Sequence, residues 1–315
     1  MFVSNEHRPL AVCVMGPTGV GKTALAAELV SRLSFSIISV DSAMVYRGLD
    51  IGTGKPDPNV LGRAPHRLID ICDPTDPYSA ARFRVDALRE MREISRNGRI
   101  PLLVGGTGLY FRALYDGLCD LPSAHPQVRR RLQAESETVG WRALHARLAE
   151  IDPDAAAKIH PNDRQRVQRA LEVYEISGRT MTQLSAIANA GLFPYRLIKF
   201  ILAPADRCAL HERLEVRFRE MLERGLVDEV RNLNARGVLN GRLPATRLVG
   251  YRQVGQYLAN LIDRDTMIER AIIATRQLAK RQLTWFRSES SAVWIDSQPR
   301  SALNAMLHNV TKALT

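Results

Sequence analysis

The sequence predicts an α/β fold, in which a parallel sheet core has helices on both faces and an all-helical insertion domain interrupts it. Over the first 115 residues, short apolar runs alternate with helical patterns, an order typical of parallel sheets covered by helices. Between residues 118 and 194 the sequence indicates helices alone, and the apolar run Arg196–Leu202 then predicts a further strand. We therefore predict a core of residues 1–117 and 195–315 and an insertion domain of residues 118–194.

The elements of the first part follow one another in a regular order. Four apolar runs predict buried strands: Leu10–Met15, Ser36–Val40, His66–Ile71 and Ile100–Val104. Helices are expected from the glycine loop to about Leu33, over Tyr78–Asn97 and around Leu109–Tyr115. For the second of these helices, Ser79 is the expected N-cap and Gly98 the expected stop.

Helices dominate the second part. From Pro126 to about Asn189 their patterns are broken near Gly140, Pro153, Pro161 and Gly178. After the strand Arg196–Leu202, long helices are expected at Arg207–Arg224, Leu226–Arg236, Leu248–Asn260 and Thr266–Arg287. The late apolar run Ala292–Ile295 predicts an edge strand before a last helix.

Charge is distributed unevenly along the chain. Of the 315 residues, 45% are apolar and 24% are charged, a composition that excludes a disordered chain. The net charge is +11, yet residues 1–120 hold 14 basic and 13 acidic side chains, whereas residues 121–315 hold 30 and 20. A neutral first part and a basic second part indicate small-ligand chemistry followed by polyanion binding. The alternative is an arginine-rich chain with solvated helix faces.

The cysteines and the hydropathy of the chain indicate the cellular compartment in which the protein works. Four cysteines lie far apart and lack metal-ligand spacing: Cys13, Cys72, Cys119 and Cys208. This disfavours a disulfide scaffold or a zinc site and fits a reducing cytosol. No apolar run approaches the ~18 residues that a membrane span needs. We expect a cytoplasmic monomer without a membrane partner.

A glycine-rich loop carries the first functional signal. It fits the pattern G-x-x-x-x-G-K-[ST] with Gly16, Pro17, Thr18, Gly19, Val20, Gly21, Lys22 and Thr23. Such a loop aims backbone N–H groups and the positive end of a helix at phosphate oxygens. Lys22 is expected to reach the terminal phosphate, and the Thr23 hydroxyl to hold Mg²⁺. The loop predicts a P-loop NTPase-like core that binds ATP or another phosphate or diphosphate compound. The motif does not identify the compound.

The carboxylate that usually assists nucleotide hydrolysis is missing from its expected place. It normally follows an apolar strand beside the loop, but Ile100–Val104 is followed by two glycines and Thr107. The strand Ser36–Val40 ends instead at Asp41. Asp41 is therefore a Mg²⁺ ligand, a general base or a helix cap after the strand.

Six further segments add a pattern that is specific in its order. They are Asp41–Pro56, Pro65–Asp70, Val104–Tyr110, Gln165–Glu172, Arg247–Arg252 and Thr275–Gln282. Together with the loop they resemble the signatures of the tRNA dimethylallyltransferase family, bacterial type, from about residue 10 to residue 296. Two departures are visible: Gly19 and Val20 stand where the family often has Ala-Ser, and Gly54 where it often has Ala.

The resemblance implies a transferase that performs prenyl transfer, not phosphoryl transfer. The dimethylallyl group of dimethylallyl diphosphate goes to N6 of adenosine 37 in a tRNA, and diphosphate leaves. Asp41 is then the general base that accepts an N6 proton, and Thr107 donates a hydrogen bond to the bridging oxygen of the leaving group. Arg217 matches the family's diphosphate-binding arginine; otherwise it is an ordinary exposed helix residue. Thr107 also suits a helix cap, and His66 is either structural or catalytic.

The basic second part fits tRNA binding. Residues 242–287 hold nine basic and three acidic side chains, with Tyr251, Trp285 and Phe286 interleaved. Arginines and aromatic rings suit the unstacked bases of an anticodon loop, although one of the adjacent Trp285 and Phe286 is expected in the core. The predicted tRNA-binding residues are Asp41, Ser42, Ala43, Met44, Thr107, Arg129, Gln165, Arg166, Val167, Gln168, Arg169, Arg247, Leu248, Val249, Gly250, Tyr251, Arg252, Lys280, Arg281, Gln282, Leu283, Thr284, Trp285, Phe286 and Arg287.

Two other functions fit parts of the sequence. A small-molecule P-loop kinase would use Asp41 as a Mg²⁺ ligand or substrate base, but the long basic helical part and the absence of an arginine-rich lid argue against it. An ATP-driven nucleic-acid-binding protein is disfavoured because no second nucleotide-hydrolysis motif is evident.

Overall fold

The computed structural model describes residues 8–117, 121–187, 193–238 and 244–314. The chain divides into two compact units, one of residues 1–114 and 194–315 and the other of residues 115–193. Cys119 and the predicted helix end near Asn189 lie outside the described residues.

The larger unit is built on a parallel sheet of six strands. They are β1 (Leu10–Met15), β2 (Phe35–Val40), β3 (His66–Arg67), β4 (Ile100–Gly105), β5 (Arg196–Ala203) and β6 (Val293–Asp296). Their order is β3-β2-β4-β1-β5-β6, and every neighbouring pair is parallel. The predicted parallel α/β core is confirmed, and the late apolar run forms an edge strand as expected.

Helices connect the strands of the larger unit and make up the smaller one. In chain order they are α1 (Lys22–Arg32), α2 (Pro58–Arg63), α3 (Ala80–Arg96), α4 (Gly108–Tyr115), α5 (Pro126–Val139), α6 (Trp141–Ile151), α7 (Pro153–Lys158), α8 (Arg164–Ser177), α9 (Met181–Ile187), α10 (Arg207–Glu223), α11 (Leu226–Ala235), α12 (Tyr251–Leu258), α13 (Arg264–Phe286) and α14 (Pro299–Leu314). Val12 and Val14 of β1 pack in one apolar cluster with Leu29 of α1 and Met306 of α14. All six residues of β1 are buried, so both faces of this strand are covered.

Two predicted elements are wrong in extent. The strand expected at His66–Ile71 ends at Arg67, because Leu68 and Asp70 have left-handed φ angles of 64° and 57° that turn the chain away from the sheet. The helix expected at Leu248–Asn260 begins only at Tyr251, because Gly250 has a φ of 89°. Before it, Pro244–Arg247 forms a short 3₁₀ turn.

The smaller unit contains helices alone among its described residues, α5 to α9 and the end of α4. Leu132, Leu144, Leu148 and Leu171 form its buried centre. Asp152 ends α6 and caps α7, where its side chain accepts the Ala155 N–H at 3.1 Å. The breaks between these helices lie at the predicted glycines and prolines.

Candidate active site

The glycine-rich loop lies between β1 and α1 and is shaped for an anion. An added Cβ at Gly16 would come within 2.5 Å of the Leu202 carbonyl oxygen, so no larger residue fits there. Gly21 precedes α1 with a φ of 88° and brings no side chain to cap the helix. The first N–H groups of α1 are therefore left for a ligand, with the positive end of the helix behind them.

Lys22 occupies the centre of this loop. Its Nζ donates to the carbonyl oxygens of Gly16 at 2.9 Å and Pro17 at 2.7 Å. Burial lowers the pKa of Lys22 to about 8, an effect that Asp41 partly offsets and Arg217 reinforces. Lys22 is thus a charged donor that is costly to bury without an anion and is stabilised when one binds.

Arg217 reaches the same cavity from α10, so it is not an ordinary exposed helix arginine. Burial lowers its pKa, and the Asp41 carboxylate opposes that effect. Gly54 lies against it with a φ of 67°, and an added Cβ there would overlap the guanidinium group. Gly54 therefore leaves room for the Arg217 guanidinium.

Asp41 and Thr107 meet at the carboxyl ends of β2 and β4. Oδ1 of Asp41 accepts the N–H groups of Ala43 at 2.8 Å and Met44 at 3.2 Å, so the carboxylate does cap a turn. Among the described residues, none is hydrogen-bonded to its Oδ2. The Thr107 hydroxyl accepts the Ser42 N–H at 3.1 Å and lies 3.4 Å from the Ser42 hydroxyl. The hydroxyl therefore holds the Asp41 loop, while the Thr107 backbone carbonyl accepts the Tyr110 N–H at 2.9 Å at the start of α4.

Two cavities adjoin at these residues. The first, about 390 Å³, is lined by the loop, Lys22 and Thr23. The second, about 360 Å³, has apolar walls that include Leu214, Phe218 and Leu248. Seven residues line both cavities: Thr18, Asp41, Thr53, Gly106, Arg217, Met221 and Gln282. A polar compartment for phosphate thus opens onto an apolar one, with Asp41 on their border.

His66 also lines the first cavity. Its Nδ1 lies 2.7 Å from the Ala64 carbonyl oxygen, a contact that requires the proton on this nitrogen. Nε2 is buried and has no hydrogen-bond partner in the described part of the chain. Burial lowers the pKa of His66, which favours the neutral ring with an acceptor nitrogen.

The structure corrects the prediction that three aromatic rings interleave with the basic residues on an RNA surface. The Tyr251 ring is buried, and its hydroxyl donates to Glu229 Oε1 at 2.6 Å. Phe286 is also buried, and its ring meets that of Phe111 edge-on with 6.3 Å between the centroids. This agrees with the expectation that one of Trp285 and Phe286 lies in the core. The Phe286 ring has no exposed face for a base, and Tyr251 lines the second cavity but is only 1% exposed. Only Trp285 is partly exposed, and Arg112 lies 5.4 Å above its ring.

The basic stretch at the end of α13 divides between two sides of the helix. Arg281 and Gln282 line the second cavity, as do Arg247, Leu248, Val249 and Gly250. A separate groove is lined by Lys280, Leu283, Thr284 and Arg287 together with Arg207, His211 and Arg276. The predicted residues 280–287 therefore face different cavities, because a helix turns consecutive residues to different sides.

In the smaller unit, the predicted tRNA-binding residues differ in exposure. Gln165 and Arg166 are exposed on α8, whereas Val167 is buried in the helical core. Arg129 and Arg169 both pair at 2.8 Å with the carboxylate of Glu172, whose side chain is fully buried. Burial opposes the ionisation of Glu172, but its hydrogen bonds, led by those from the two arginines, hold its pKa below the usual value. Both arginines thus stabilise the unit whether or not they also bind RNA.

Sequence reasoning missed Glu229, which shapes the site without lining it. Its carboxylate accepts three consecutive N–H groups, from Asp50 at 3.0 Å, Ile51 at 2.7 Å and Gly52 at 3.2 Å. With Tyr251 on the same carboxylate, it fastens the loop before Gly54 to α11 and α12. No pattern around Glu229 signals this role, because its partners are backbone groups about 180 residues away in the chain.

Comparison with known proteins agrees with this geometry. The sequence profile of a family described as IPP transferase matches residues 44–289, and one described as isopentenyl transferase matches residues 10–69. A tRNA dimethylallyltransferase from Thioalkalivibrio sulfidiphilus is 61% identical over 280 residues, covering 89% of this chain and 88% of the relative. The chain belongs to the tRNA dimethylallyltransferase family. Its members are transferases, so the predicted enzyme class is confirmed.

Solved structures of this family share the fold. A tRNA isopentenylpyrophosphate transferase from Bacillus halodurans is 36% identical, with a TM-score of 0.70 and coverage of 97% of this chain and 98% of its own. A eukaryotic dimethylallyltransferase acting on tRNA is 28% identical, with a TM-score of 0.77 and coverage of 92% and 74%. Within the described residues, no helix is long and apolar enough to cross a membrane.

Proposed function

We propose that the protein transfers the dimethylallyl group of dimethylallyl diphosphate to N6 of adenosine 37 in tRNA and releases diphosphate. One observation carries the proposal: a phosphate-binding cavity adjoins an apolar cavity at the border formed by Asp41 and Gln282. An allylic diphosphate has the same two halves, and its reactive C–O bond joins them. The border is therefore where bond exchange takes place.

The diphosphate half is held by positively charged groups that the Asp41 carboxylate compensates only in part. The loop amides, Lys22 and Arg217 converge on the first cavity, and both side chains lose hydration there. As the C–O bond breaks, its electron pair goes to the diphosphate, so these donors gain interaction energy in the transition state. The Thr107 hydroxyl accepts the Ser42 N–H at 3.1 Å and donates to the Ser42 hydroxyl over a long 3.4 Å, so its proton can turn to the bridging oxygen when a diphosphate binds.

The donor set of the first cavity fits Mg²⁺. The Thr23 hydroxyl at the start of α1 is a hard oxygen ligand that lines the cavity for the diphosphate, and Mg²⁺ usually takes one or two such groups besides phosphate oxygens. Thr23 would hold the ion, which when bound spreads the charge of the diphosphate. The described residues hold no cluster of three or more acidic, histidine or cysteine side chains that would bind a metal on their own.

Asp41 makes the adenine nitrogen reactive. The N6 lone pair is delocalised into the ring, so N6 attacks the allylic carbon only as one of its protons is removed. Oδ1 is fixed by the turn that it caps, which leaves Oδ2 to accept that proton. The new N–C bond replaces the C–O bond, the proton goes to Asp41, and the diphosphate leaves with the bonding pair.

The tRNA is expected to approach through the second cavity. Arg247 and Arg281 line it, and Arg252 is exposed on the neighbouring helix α12. We assign these residues to the anticodon loop and the exposed Gln165 and Arg166 to a further RNA contact on the helical unit. We further propose that the protein acts as a monomer in the cytoplasm.

The test is product analysis. Unmodified tRNA, dimethylallyl diphosphate and Mg²⁺ are incubated with the protein, and the nucleosides are analysed by mass spectrometry. A gain of one C₅H₈ unit at N6 of adenosine 37 is expected, and Asp41→Asn serves as the matched control. A folded protein that leaves the tRNA unmodified, or that modifies another atom, would refute the proposal.

A further inference from the structure

Gln282 joins two loops that are distant in sequence. Its Oε1 accepts the Thr18 N–H at 2.9 Å, and its Nε2 donates to the Gly106 carbonyl oxygen at 3.0 Å. Thr18 belongs to the phosphate-binding loop, and Gly106 directly precedes Thr107. One side-chain amide on α13 thus bonds with both of its ends to parts of the active site.

Backbone pairing does not hold these two loops together. β1 and β4 are neighbouring parallel strands, and their last paired residues are Met15 and Gly105. Each loop starts at the next residue. Beyond the end of the sheet, the hydrogen bonds of the Gln282 amide connect the two loops. The amide lies close to the backbone, since an added Cβ at Gly106 would overlap Nε2. A glycine is needed there so that the amide can reach the backbone.

We propose that Gln282 is a positioning residue, whose amide sets the separation between the diphosphate-binding loop and Thr107. The inference rests on the proposed function, in which the loop holds the leaving group and Thr107 donates to its bridging oxygen. Gln282 lines both cavities at their border, so a shift of either loop changes the alignment of the breaking bond. Displacement of about 1 Å is enough to cost up to a hundredfold in rate.

This role differs from the tRNA contact that the sequence pattern predicts for Gln282. A side chain that binds RNA affects the KM for tRNA, whereas one that aligns the two loops affects kcat. If Gln282 acts by aligning Thr107, its substitution should have little further effect on kcat once the Thr107 hydroxyl has been removed, because there is then no hydroxyl left to misalign.

The experiment is a double-mutant cycle. Gln282→Met keeps the length of the side chain and removes both hydrogen bonds, and Gln277→Met makes the same change at an exposed position of the same helix. In Gln282→Met we expect kcat to fall roughly tenfold to a hundredfold while the KM for tRNA stays within about threefold. In a Thr107→Val background the same substitution is expected to cost less than about threefold. Gln277→Met is expected to match the wild type.

Several results would overturn the inference. These are unchanged kinetics in Gln282→Met, a raised KM for tRNA with intact kcat, or an equal loss in both backgrounds. If Gln282→Met does not fold, Gln282→Asn takes its place in the cycle, since its amide is one methylene shorter and cannot bond to both Thr18 and Gly106 without a shift. It is expected to show a smaller kcat loss with the same dependence on Thr107, and additivity would overturn the inference. Absence of prenylated product with the wild type would instead refute the proposed function.

Discussion

Replacing Glu229 by alanine should loosen the loop that carries Gly54. Four donors share the Glu229 carboxylate, and the Asp50 N–H among them is exposed and can turn to water. The other three are partly buried and lose a charged acceptor. At roughly 1 kcal/mol each, the low end for charge-assisted bonds because water reaches the site, Glu229→Ala should lower the free energy of unfolding by about 3 kcal/mol.

Tyr251→Phe should cost about 1 kcal/mol, because it removes one of these donors and leaves the carboxylate in place. Chemical denaturation measures both values, with the exposed Glu212 of α10 as the matched control in Glu212→Ala. Since Gly52 and Thr53 line the second cavity, Glu229→Ala should also raise the KM for dimethylallyl diphosphate. A destabilisation no larger than that of Glu212→Ala would show that the three backbone contacts do not hold the loop.

Three further predictions concern charge and space at the site. Because Lys22 has a pKa of about 8 and is charged below it, pyrophosphate affinity should fall by up to about tenfold per pH unit above pH 8. In Lys22→Arg, isothermal titration should show no such fall in pyrophosphate affinity above pH 8. Equal pH profiles of affinity for the wild type and the variant would contradict the role of Lys22. Arg281→Ala should flatten the salt dependence of tRNA binding by a log–log slope of about 0.7, the share of one single-strand phosphate, whereas Arg92→Ala on α3 should not. Gly54→Ala should weaken pyrophosphate binding roughly tenfold by displacing the Arg217 guanidinium, whereas Gly62→Ala, with open space around its Cβ, should bind normally. Equal affinities would mean that the flexible end of Arg217 accommodates the added methyl group.

The positions of most strands along the chain and the phosphate-binding loop were predictable from the sequence because both depend on local patterns. Apolar runs locate β1, β2 and β4, and glycine spacing locates the loop. The end of β3 was not predictable, since Leu68 and Asp70 adopt left-handed backbone angles that cannot be predicted from their residue types. Local sequence patterns thus predict which helices and strands form, but they do not predict the points where tertiary packing overrides local propensity.

The site was predictable in its residues and less so in their contacts. Asp41, Thr107 and Arg217 do border one pair of cavities, yet Tyr251 and Phe286 turn inward. A resemblance lists which residues matter without separating those that touch a ligand from those that hold others in place. That division depends on burial and on contacts between distant parts of the chain, which the motifs themselves do not contain.

The central claim is that Asp41 accepts the N6 proton at the border of the two cavities. Asp41→Asn tests it most directly, because an asparagine Oδ1 still caps the turn at Ala43 and Met44 while the proton acceptor is lost. With saturating dimethylallyl diphosphate, the single-turnover rate of prenyl transfer should fall by about 10²–10⁴ while the Kd for tRNA stays within about threefold of the wild type. A wild-type single-turnover rate, or a loss explained entirely by weaker tRNA binding, would contradict the claim.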